Sequence, residues 1–132
     1  MLAMMESTRN DLSRYRRRIV GEAVDAFRKD SYFQGKGQPA AAIVEAVSEG
    51  LLDLLEEGPA CDYDTVRLYV EWLYNLIRKE GKKVDTTLDF LDRFEQIVTR
   101  HLPNKEDADV DVFFEMAREI VQRRHEQLLR PH

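Results

Sequence analysis

Apolar residues return along this chain at steps of three and four, the spacing that places them on one face of an α-helix. Leu12, Tyr15, Ile19, Ala23 and Phe27 form the first stripe, within a helix predicted from about Ser7 to Lys29. Ile43, Val44, Val47, Leu51, Leu54 and Leu55 form a second, and Val66, Tyr69, Val70, Leu73, Leu76 and Ile77 a third. The fourth carries Leu88, Leu91, Phe94, Ile97 and Val98. Val110, Phe113, Phe114, Ala117, Ile120, Val121 and Leu128 continue the fifth almost to the end, so the last turns of that helix are expected to project. No stretch alternates with the period of two that a half-buried strand needs. The pattern predicts an all-α, single-domain bundle of about five helices with a long C-terminal helix.

The residues between the stripes are helix stops and starts. The segment 31-SYFQGKGQP-39 reads as a loop, and Pro39 suits the first turn of the helix after it, where a missing N–H costs nothing. Gly58-Pro59 ends the second helix, and Asp62 or Asp64 can cap the third. Gly81 is a natural stop, with Arg78 and Lys79 opposing the negative end of the helix dipole, and Asp85, Thr86 and Thr87 offer caps for the fourth helix. The stretch 73-LYNLIRKEGKKVDTTLDFL-91 is thus the elbow of an antiparallel helical hairpin. Pro103 ends the fourth helix, and 104-NKEDADVD-111 loads the next start with carboxylates. Gly50 interrupts the second stripe at about 1 kcal/mol of helix propensity relative to alanine, which either close helix approach or mere tolerance would explain.

At 132 residues the chain fits one domain with a core of its own, spanning 1–132, and residues 1–6 are expected to be disordered. No apolar run nears the roughly 20 residues that cross a bilayer, so no membrane insertion is expected. A single cysteine, Cys61, and no secretory signal favour a cytoplasmic setting. The formal charge of −5 disfavours a mainly electrostatic grip on nucleic acid. The local exception is 14-RYRRR-18, where Arg14, Arg17 and Arg18 share one helix side, partly neutralised by Glu22 and Asp25.

Candidate chemistry is sparse. Gly35-Lys36-Gly37 lacks the preceding strand and the Lys-Ser/Thr ending of a phosphate loop. His101, His125 and His132 stand in no metal-binding spacing, so no metal and no cofactor are expected. His101 is the nearest candidate for a haem ligand, but one helix after it is too little to close a globin pocket. No nucleophile elbow surrounds a serine, and the acids lie mostly outside the apolar stripes, as solvated faces do. The chain is expected not to be an enzyme. Aromatic residues gather instead on the third helix as Tyr63, Tyr69, Trp72 and Tyr74. Tyr69 and Trp72, three apart, can sit side by side, while Tyr74 falls on a different face.

The run 72-WLYNLIRKEG-81 followed by 87-TLDFLDRFEQIVTRHL-102 resembles the N-terminal helical domains of RsbR-type stressosome proteins. In that family a helix ends Leu-x-x-x-Arg-x-x-Gly, and Arg78 and Gly81 match, with Tyr74 in the leucine's place. The resemblance extends as a pattern of helix order and length from about Val20 to Leu129. It implies a globin-like fold without haem, a homodimer, and a sensory role in a bacterial stress response, upstream of a signalling domain or protein partner. It transfers no catalytic residue.

The expected function is therefore a non-enzymatic sensory or regulatory domain acting through homodimerisation and signal-dependent packing. Tyr69, Trp72, Phe113, Phe114 and Ile120 are its candidate ligand-pocket or dimer-interface residues. The alternatives are a ligand- or haem-binding globin-like domain using His101, and a helical adaptor gripping a protein, or nucleic acid through Arg14, Arg16, Arg17 and Arg18.

Overall fold

The computed structural model describes residues 6–30, 33–57, 62–77, 85–102 and 108–129. Five helices follow in order: α1 (Glu6–Phe27), α2 (Ala40–Glu57), α3 (Tyr63–Ile77), α4 (Asp85–His101) and α5 (Ala108–Leu129). Among the described residues there is no strand, and no helix is long and apolar enough to cross a membrane. The all-α bundle expected from periodicity is the fold found. Helix α1 already begins at Glu6, one residue inside the stretch expected to be disordered.

Helix α1 packs along α2 and α4, and α5 packs along α3 and α4. Arg16 of α1 meets Glu49 of α2, while Asp30 and Glu22 meet Arg93 and Arg100 of α4 in reverse order, so α1 and α4 run antiparallel. Arg118 reaches Asp92 and Glu95, and Asp111, two turns earlier on α5, bonds Glu95, so α4 and α5 are also antiparallel. The core gathers most of the five stripes, joined by residues from outside them such as Val20, Leu52, Phe90 and Leu102. At its centre Phe27, Phe33, Phe90 and Phe94 make a chain of ring contacts, Phe27 and Phe90 with centroids 4.6 Å apart. Arg93 lies over the Phe27 ring at 4.5 Å and bonds to Asp30 at 3.1 Å, closing this end of the α1–α4 contact.

Local chemistry explains the helix boundaries. The Asp62 carbonyl accepts from the Thr65 and Val66 amides, so Asp62 takes the cap position of α3 rather than Asp64. The Pro39 carbonyl accepts from Ala42 and Ile43 in the same way, which makes Pro39 the residue before the first turn of α2 rather than a member of it. Since α4 starts at Asp85, Thr86 and Thr87 lie inside its first turn instead of capping it, and Thr87 is buried. Gly35 and Gly37 both have positive φ, a conformation that side chains disfavour, which is how a short connection turns from α1 to α2. The stops assigned to Gly58-Pro59, Arg78 to Gly81 and Pro103 lie outside the described residues, as does Cys61.

Several side chains depart from the stripes. Tyr74, expected on a different face from Tyr69 and Trp72 and left out of the predicted stripe, is 1 % exposed and part of the core. Its hydroxyl needs a partner at that depth and finds His125 Nδ1 at 2.8 Å on α5. Phe33 and Phe90, outside every predicted stripe, are fully buried, whereas Leu88 is only half-buried. Phe33 is missed because it sits in a loop by composition, yet a short turn tucks its ring between Phe27 and Phe90.

Candidate functional site: the outer face of α3

Helix α3 has an inner and an outer face. Val66, Val70, Leu73, Tyr74 and Ile77 point inward and are buried. Leu68 and Trp72, one turn apart on the opposite side, are 60 % and 48 % exposed. A large apolar pair directed away from the core leaves apolar area in water, and with the exposed Val112 of α5 it departs from ordinary burial. Tyr63 at the start of the helix is also exposed.

Trp72 is not loose on this surface. Its ring leans on Tyr69, centroids 5.3 Å apart and planes at 52°. Tyr69 in turn crosses to α2, where its hydroxyl donates to the Val47 carbonyl at 3.1 Å. The ring lies directly over Gly50: a Cβ at that position would stand 2.5 Å from Tyr69 Cζ and 2.7 Å from Cε2, with the hydroxyl oxygen closer still. Of the two explanations for Gly50, close approach is the one realised, and what approaches is a side chain rather than a helix backbone. Burial pushes the Tyr69 phenol up to about 12, and the nearby Asp53 carboxylate adds to the rise. Tyr69 therefore stays neutral and keeps its proton for the Val47 bond.

On one flank of the Leu68–Trp72 pair lies Arg67, 3.6 Å from Asp64 and 3.4 Å from Glu71. These long separations belong to mobile surface pairs worth a fraction of a kcal/mol, about 0.3–0.5 for such spacings. The face is thus an apolar centre, held from behind by a tyrosine, with a charged margin.

The other candidate residues are dispersed. Phe113, Phe114 and Ile120 all face into the bundle from α5, Phe113 and Phe114 edge to face at 5.3 Å and Phe114 against Phe94 at 6.2 Å. They belong to the core, apart from the exposed Trp72. Arg14, Arg17 and Arg18 are exposed on α1, with the guanidinium groups of Arg14 and Arg18 5.5 and 5.9 Å from the Tyr15 ring centre. Glu22, expected to neutralise part of this patch, bonds Arg100 and, at 2.8 Å, His101.

Arg16 leaves the basic patch altogether. It reaches Glu49 and Asp53 at 2.5 Å each and also Glu56, three carboxylates on successive turns of α2. Burial works against its charge, but Glu49 and Asp53 more than offset this and raise the guanidinium pKa. A second such knot joins Arg118 of α5 to Asp92 and Glu95 of α4. There burial pushes the Glu95 carboxyl up despite Arg118, with Asp111 adding to the rise. Both knots are structural clamps between neighbouring helices.

Two open grooves among the described residues contain no built ligand site. One, of about 1030 Å³ between α1 and α2, is floored by Gly21, Pro39, Ala41 and Ala42 and edged by charges of both signs. The other, of about 430 Å³, surrounds the Arg118 knot. Among the described residues no group of three or more His, Cys, Asp or Glu side chains could hold a metal ion. His101 ends α4 with its Nε2 engaged by Glu22. No family model matches the chain, and neither a curated protein nor a solved structure matches it.

Proposed function

We propose that this chain is a non-enzymatic regulatory domain that works by self-association, the role that the resemblance to RsbR-type sensor domains implies. The observation that carries the reading is the outward Leu68–Trp72 pair, with Trp72 braced by Tyr69. Tryptophan and tyrosine are the residues most enriched at the centres of protein interfaces, where a rigid ring buries much area at little entropic cost. A regulatory domain acts when a signal binds two arrangements with different affinity, and a monomer–dimer equilibrium supplies two such arrangements. Haem ligation is the weaker alternative, because the candidate ligand nitrogen is committed to a carboxylate at 2.8 Å. Nucleic-acid binding is weaker too, since Arg16 is taken up by three acids.

Light scattering over a concentration series tests this, with the absorption spectrum recorded on the same sample. A mass rising from monomer to dimer, abolished by Trp72→Ala with the helical signal kept, is the expected result. A mass that stays monomeric up to millimolar concentration overturns it.

A further inference from the structure

The contact between α4 and α5 holds more acid than its cation can answer. Arg118 of α5 gives one guanidinium nitrogen both to Asp92, at 3.0 Å, and to Glu95, at 2.8 Å, on α4. A third carboxyl, that of Asp111 on α5, lines the same groove and bonds Glu95 directly. An ionised carboxylate only accepts hydrogen bonds, so two carboxyls bond one another only when a proton lies between them. We propose that Glu95 and Asp111 hold one such proton in the folded chain, and that it fastens the start of α5 to α4 in a pH-dependent way. The fastener does not depend on self-association.

The surroundings favour Glu95 as the proton's seat. Its side chain is 17 % exposed, against 55 % for Asp92, so water solvates Asp92 far better. Asp111 lies in the first turn of α5, where the helix dipole favours the anion. Thr99, one turn along α4, directs its hydroxyl to the carbonyls of Glu95 and Gln96 instead of to the carboxyl. On α5, Glu115 stands exposed one turn beyond Asp111 and adds a further acid. The other neighbours of α4 are α1 and α3. From α1, Asp30 faces Arg93, and Glu22 faces Arg100 and His101. On α3, Asp64, Arg67 and Glu71 pair with one another, Tyr69 bonds α2 and Tyr74 bonds His125.

Burial, with Asp111 adding to it, holds the Glu95 carboxyl above its ordinary value of 4.5 in spite of Arg118. The folded chain therefore keeps a proton at pH values where the unfolded chain has released it. The contribution to stability is complete below 4.5 and is lost as pH rises through the raised folded value. A plain Glu95–Arg118 ion pair has the opposite sign, since it is lost as pH falls.

An NMR titration of the side-chain carboxyl carbons in the full chain reads the proton directly. Glu95 should titrate above the ordinary glutamate value. Asp111→Asn should shift that midpoint down, because an asparagine amide donates to the Glu95 carboxylate and replaces the proton. Urea midpoints over the same range read the effect on stability. Glu95→Gln keeps a donor for Asp111 and an acceptor for Arg118 at every pH, so the stability of the unaltered chain relative to this variant should fall as pH rises from 4.5 to neutral. A Glu95 midpoint at or below the ordinary value, read on the unaltered chain alone, overturns the proposal. So does a midpoint indifferent to Asp111→Asn, or a relative stability that stays flat or rises with pH, the rise being what the ion pair predicts.

Discussion

Replacing Gly50 by alanine should destabilise this protein, against the usual rule for glycine in a helix. Alanine gains about 1 kcal/mol of helix propensity at such a site. Here its methyl would lie 2.5 Å from Tyr69 Cζ and 2.7 Å from Cε2, so the ring has to leave its seat. Losing the hydroxyl bond to Val47 costs about 1 kcal/mol. A tyrosine buries about 200 Å² when seated, and returning half of that to water costs roughly 2.5 kcal/mol at 25 cal/mol per Å². The balance is a net loss of about 2.5 kcal/mol. Urea unfolding followed by circular dichroism measures it, at a concentration low enough to keep the chain monomeric, and Trp72, the single tryptophan, reports the displaced neighbour by fluorescence. The cycle closes with Tyr69→Ala. In that background the same Gly50→Ala change should stabilise by about 1 kcal/mol, because only the propensity remains. Tyr69→Phe should give no such relief, since Cζ and Cε2 stay in place. A stabilised Gly50→Ala single variant, or an unchanged sign in the Tyr69→Ala background, would refute the reasoning.

Two further outcomes follow from the charge arrangement. Arg16→Met should cost roughly 2 kcal/mol near neutral pH, as Glu49, Asp53 and Glu56 are left facing one another, and the deficit in urea midpoint should shrink as pH falls through the carboxylate range and the repulsion is removed. The Tyr69 phenol, raised from 10 to about 12, keeps its proton in the folded state when the unfolded chain has lost it, so its contribution to stability should disappear as pH rises from about 10 through 12. An ultraviolet titration of tyrosinate absorbance should show a late-ionising component that is lost in Tyr69→Phe, and a titration identical in both would count against the buried seat.

Most of the architecture could be read before any coordinates. The five stripes carry the core because a helix that must bury one side repeats its apolar residues every three or four positions, and Ile43 through Leu55 or Val110 through Val121 leave no other reading. Departures arise where burial is decided by a contact distant in sequence. Phe33 looks like a loop residue and Tyr74 like an off-face aromatic until Phe90 and His125 stand beside them. Ion pairs are least legible: the run from Arg14 to Arg18 looks uniform, yet Arg16 alone turns toward the acids of α2. The acids Glu49, Asp53 and Glu56 repeat at steps of four and three, a signal that a matching cation lies across from them. The Tyr69–Trp72 adjacency was visible from spacing, but the outward direction of Trp72 follows only from which side α4 and α5 occupy.

The two ends of α5 are held very differently. Up to Val121 its inward residues, Val110, Phe113, Phe114, Ala117, Ile120 and Val121, lie in the core, while beyond it Gln122, Arg123, Glu126, Gln127 and Leu128 are exposed and the bond between Tyr74 and His125 joins the helix to α3. Mechanically this is a beam clamped over its first half and pinned near its tip by the Tyr74–His125 bond. Sideways bending of the last two turns strains that joint, worth about 1 kcal/mol, without opening the apolar interior. Replacing His125 therefore alters the stiffness of the helix end while the bundle keeps its shape.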